Sequence, residues 1–98
     1  GSALTAAVLR AAEAALDPAS RVGARVLGWD GNARGSGDSV PLRLAGGLHA
    51  LARSGAAPAL TRLYAGELAL AGTAVPDALA RFDATLAPWL DVPPQTNE

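Results

Sequence analysis

Cysteine is absent from these 98 residues, and so are methionine, lysine and isoleucine; there is one histidine, one tyrosine and one phenylalanine. Without cysteine there is no disulfide framework, no thiolate metal site and no cysteine nucleophile. That fits a reducing compartment, and the expectation is a cytoplasmic protein. Lysine, methionine and isoleucine have AT-rich codons, so their joint absence fits a high-GC bacterial gene. With no methionine the chain shows no native start, as a piece of a longer protein would. Gly1-Ser2 has the look of a tag remnant and is left out of the fold.

Long apolar runs are also missing. None approaches the roughly 20 residues of a membrane span, so no membrane partner is expected. The first segment carries Arg10 and Glu13 without a basic leader, which is not the pattern of a signal peptide. Clustered positive charge is lacking too. Net charge is −1, and the eight cations are all arginine, spread along the chain. Nucleic-acid binders gather such residues on one face, so nucleic acid is not an expected partner. One histidine and no cysteine leave no His/Cys ligand set for a transition metal, and no metal ligand is assigned.

What is present is alanine and leucine. Of 49 apolar residues 24 are Ala, and the bulk comes from fifteen Leu, six Val, Trp29, Tyr64, Phe82 and Trp89. A chain of this length forms one domain and buries about two-thirds of its unfolded surface. Ala-rich cores work through close helix approach, so the expectation is tight packing.

Helical spacing recurs along the chain. Leu4, Val8, Ala12 and Leu16 form one stripe over 3–16. Asp17-Pro18 ends that segment and, as cap and first helical residue, starts the next over 18–28. There Val22, Val26, Leu27 and Trp29 share a side, with Arg21 and Arg25 as a polar row. The stretch DGNARGSGD, 30–38, is a loop whose glycine spacing matches neither phosphate-binding motif.

SVPLRLAGGLHALARSG, 39–55, is the strongest helix, with Ser39 as cap, Pro41 in the first turn and Gly55 after the last. Leu44, Leu48 and Leu51 share its face. Gly46-Gly47 costs roughly 1 kcal/mol per residue against Ala in mid-helix. A close crossing by another helix explains it, which makes this the central helix. Pro58 starts the next, with Leu60, Leu63 and Tyr64 as its stripe, Gly66 as an interruption and Gly72 as its end. The last helix begins near 73–76 and runs to Leu90 through Val75, Leu79, Phe82, Leu86 and Trp89, with Pro88 altering its final turn. No strand pattern occurs. The fold class is all-α, a small antiparallel bundle of about five helices over 3–90.

Chemistry is sparse. His49 has no acidic residue three or four positions away to orient it. Asp77 and Arg81 form a helix-stabilising pair, and Asp83 does similar work at the surface. Ser36 and Ser39 lack a nucleophile-elbow context. No catalytic or cofactor-binding residue is assigned. Trp29 and Trp89 are core or rim anchors or, if exposed, marks of a partner surface. After Asp91, Pro93-Pro94 forces extended backbone, and Gln95, Thr96, Asn97 and Glu98 form a polar tail over 91–98.

Two stretches carry a resemblance. PLRLAGGLHALARSGAAPAL, 41–60, followed by PPQTNE, 93–98, resembles the N-terminal part of the bacterial domain-of-unknown-function family DUF2332. Gln95, Thr96, Asn97 and Glu98 match the second motif, and Arg43 and His49 match the first. The resemblance implies a chain that continues past Glu98 into a strand and a Gly-rich turn similar to those of S-adenosylmethionine-dependent methyltransferases. It further implies that this part is a helical accessory domain, inactive alone and holding no cofactor. Its partner would be a C-terminal domain of the same chain, with 91–98 as the junction. Those six residues would then line the junction or a ligand. A helical interaction or homodimerisation module, using exposed Leu and Trp of the last helix, is the alternative.

Overall fold

A computed structural model describes residues 3–28 and 40–90, and every regular element in them is helical. Trp29, the 30–38 loop, the Ser39 cap and the tail with Gln95, Thr96, Asn97 and Glu98 lie outside the described residues. The helices are α1 (Ala3–Ala15), α2 (Arg21–Leu27), α3 (Val40–Ser54), α4 (Pro58–Tyr64), α5 (Ala71–Arg81) and α6 (Asp83–Leu90), with a short 3₁₀ turn, Leu68–Leu70, before α5.

Helix α3 is central as its glycine pair predicts, packing against α1, α2, α4 and α6. Val8, Val22, Leu44, Leu48, Leu60, Leu63, Val75, Leu86 and Leu90 are fully buried, and no described polar side chain is buried with them. Truncating one of these leucines to Ala costs about 2–5 kcal/mol. Gly55 takes φ +82° just past α3, and Gly66 takes φ +123° past α4, both left-handed positions where a side chain would be strained.

Four local expectations change. The described helices number six, because the last predicted helix breaks at Phe82 (φ −116°, ψ 26°). Helix α5 begins earlier, so Gly72 lies in its first turn instead of ending α4. Asp17 is not the cap of α2. Its carbonyl accepts from the Ser20 amide and hydroxyl, closing a turn, and the Ser20 hydroxyl caps α2 by accepting from the Gly23 amide at 2.8 Å. Asp83 makes no helix-surface pair of the Asp77–Arg81 kind, which does form at 3.2 Å. It bonds to α2.

Candidate functional site at the carboxyl end of α6

Helix α2 has no acidic residue in its first turn, and α6 has no basic residue in its last. Each helix supplies what the other lacks. The Asp83 carboxylate at the start of α6 accepts from the Arg21 and Val22 amides at 3.0 and 2.9 Å. It thereby satisfies two of the first-turn donors of α2 and sits at the positive end of its dipole. In return Arg25 of α2 donates from Nη2 to the Leu90 carbonyl at 2.8 Å. Start pairs with start and end with end, so α2 and α6 run in the same general direction, unlike antiparallel neighbours.

Arg43 of α3 donates from Nη1 to the same Leu90 oxygen at 3.1 Å. Two guanidinium nitrogens therefore lie within about 6 Å of one another around one carbonyl. Positive charge at a helix carboxyl end is favourable, because the unpaired carbonyls there carry partial negative charge. Leu90 is fully buried, so its oxygen needs these donors.

Trp89 seats the same end of α6 on α3. A Cβ built on Gly47 would lie 2.9 Å from the Trp89 Cγ, and one on Gly46 would lie 3.8 Å from the ring. The glycine pair thus admits a crossing helix, as its sequence position suggests. Trp89 keeps 40% of its surface exposed.

His49 lies six residues beyond Arg43 on α3, roughly 9 Å along the axis and about a third of a turn away. It is exposed and stacks on Tyr64 of α4, with ring centres 5.1 Å apart and planes 10° from parallel. The Tyr64 hydroxyl donates weakly to the Ala45 carbonyl at 3.4 Å. Partial burial pushes the Tyr64 phenol up to about 12. Beside the two rings a cleft of about 370 Å³ opens between α1, α3 and α4, bounded by Leu4, Thr5, Leu42 and Gly46.

Of the six residues singled out from sequence, Arg43 thus stands at the exit of α6 and His49 in a separate cleft, while 95–98 are not described. Arg25, Asp83 and Tyr64 carry the geometry without having been singled out as site residues. For Asp83 the sequence carries no signal, because the helical rhythm runs unbroken through Phe82. Nothing in sequence pairs Arg25 with Leu90. Among the described residues no group of three or more His, Asp or Glu could hold a metal, and no helix is long and apolar enough to cross a membrane.

The model of the family DUF2332, described as "Uncharacterized protein conserved in bacteria", matches residues 1–98. No curated protein and no solved structure matches the chain significantly.

Proposed function

Since the chain belongs to the DUF2332 family, we propose that it is a helical accessory domain that fixes where, and in which direction, the segment 91–98 departs. Gln95, Thr96, Asn97 and Glu98 then lie at a junction with a C-terminal, methyltransferase-like part of the whole protein, in the cytoplasm. The domain itself performs no chemistry in this reading and needs neither membrane nor nucleic acid. The observation that supports it is the pair of arginines, from two different helices, on the carbonyl of Leu90. Two charge-assisted, part-buried guanidinium bonds from separate helices hold this carbonyl more firmly than a single neutral bond would, which suits a fixed point of departure.

The described residues contain no strand, and hence no glycine turn between strand and helix of the kind that cradles S-adenosylmethionine. No step is routed through that cofactor here; it would be held by the C-terminal part. The test is calorimetric titration of the whole protein with S-adenosylmethionine. Saturable binding is expected, and its absence sinks the methyltransferase-like reading.

A second reading is a homodimerisation module, but not one using leucines of the last helix, because Leu86 and Leu90 are buried. Trp89 of α6 is 40% exposed and supports it, with Leu27 of α2 and Leu42 of α3 at 53% and 45%. Light scattering separates the two, because a monomer whose mass does not change with concentration excludes self-association.

A further inference from the structure

The cleft at His49 is a different place from the arginine pair. Its volume of about 370 Å³ falls within the roughly 300–1,000 Å³ range of small-molecule sites. One wall is the His49–Tyr64 stack, nearly parallel at 10°. An exposed ring ordinarily samples several rotamers, but a stacked partner restricts it, so this wall is a pre-set plane. Gly46 also lines the cleft, and a Cβ there would meet the Trp89 ring at 3.8 Å. Among the described residues, no carboxylate, guanidinium or ammonium lines the cleft. The phenol stays neutral through physiological pH, since burial pushes it up to about 12. The polar side chains of the described lining are the Thr5 and Tyr64 hydroxyls and the His49 imidazole.

We propose that this cleft binds an uncharged planar aromatic or heteroaromatic molecule of one or two rings, stacked against the His49–Tyr64 pair. Planarity is selected by the ring wall. Neutrality is selected because none of the described lining residues carries a carboxylate, guanidinium or ammonium to offset desolvation of an ion. The site stands whether or not the whole protein binds S-adenosylmethionine.

The test is amide-resolved NMR titration with indole and with benzimidazole, using cyclohexanol as a non-planar comparison. Saturable shifts centred on Ala45, Gly46, His49 and Tyr64 are expected for the two ring probes. His49→Ala should weaken them about three- to tenfold, the range a stacked ring contact supplies, while His49→Phe should hold affinity within about twofold. Shifts that do not saturate, cyclohexanol binding as tightly as indole, or an unchanged affinity in His49→Ala each overturn the assignment.

Discussion

The indole of Trp89 rests on Gly47, close enough that a methyl group there would stand 2.9 Å from Cγ and 3.2 Å from both Cβ and Cδ1 of the tryptophan. These are atoms at the root of the side chain, so they cannot swing aside without moving α6. At the neighbouring Gly46 the nearest ring atom is 3.8 Å away, an ordinary contact.

Two adjacent Gly→Ala substitutions should therefore have opposite signs. Gly46→Ala gains helix propensity and should stabilise by about 0.5–1 kcal/mol. Gly47→Ala gains the same propensity but overpacks the crossing, for a net loss of about 1–2 kcal/mol. Urea denaturation of both variants measures this. Stabilisation by Gly47→Ala would show that α6 does not sit where described.

The carboxylate of Asp83 joins elements some sixty residues apart. Asp83→Ala leaves the Arg21 and Val22 amides without their acceptor and should cost about 1–3 kcal/mol. Ser20→Ala removes only local bonds, to the Gly23 amide and the Asp17 carbonyl, and should cost about 1 kcal/mol. Hydrogen exchange at Arg21 and Val22 distinguishes the two. Faster exchange there after Asp83→Ala, with the α4 amides unchanged, is the expected pattern, and protection that survives rules out the cross-helix cap.

These contacts mark the boundary of what the sequence revealed. The apolar stripes placed α1, α3 and the start of α4 well, because burial of Val8, Leu48 and Leu63 follows a local period that a sequence displays, but they did not mark the end of α4 at Tyr64. Gly46-Gly47 even announced a crossing, since two glycines in mid-helix need a steric reason. The cap of α2 was misplaced because Asp17 and Ser20 are both good caps. The choice between them lies in the turn, where a Cβ on Gly23 would run into the Asp17 carbonyl. The break at Phe82 was invisible for a related reason. Val75, Leu79, Phe82 and Leu86 keep one helical rhythm across it, and only the distant amides of α2 explain why Asp83 starts a new helix. Arg25 and Arg43 meet Leu90 through tertiary placement alone.

Around the Leu90 carbonyl, loss of one arginine should be tolerated and loss of both should not. A carbonyl oxygen left with one donor is still satisfied, so Arg25→Ala and Arg43→Ala should each cost about 0.5–1 kcal/mol. The double variant leaves a buried oxygen without either donor and should cost more than the two together, about 2–3 kcal/mol. A double-mutant cycle by chemical denaturation measures the coupling. Strict additivity would mean that the guanidiniums act through other partners.

Tyr64 gives the fold an alkaline limit. Its phenol, ordinarily near 10, is pushed up to about 12 by burial among α1, α3 and α4. Below pH 10 the phenol is neutral in both folded and unfolded chains, and the shift has no consequence for stability. Between 10 and 12 the unfolded chain releases its proton while the folded chain keeps it, so stability falls as pH rises. Partial exposure of the ring holds the expected loss to about 1–2 kcal/mol. Because the chain has a single tyrosine, phenolate absorbance follows this group without interference. Denaturation midpoints measured across the same window should fall in the parent protein and stay flatter in Tyr64→Phe. A phenolate that appears near pH 10 in the folded protein would mean that the ring is solvated and that the wall it forms with His49 is open.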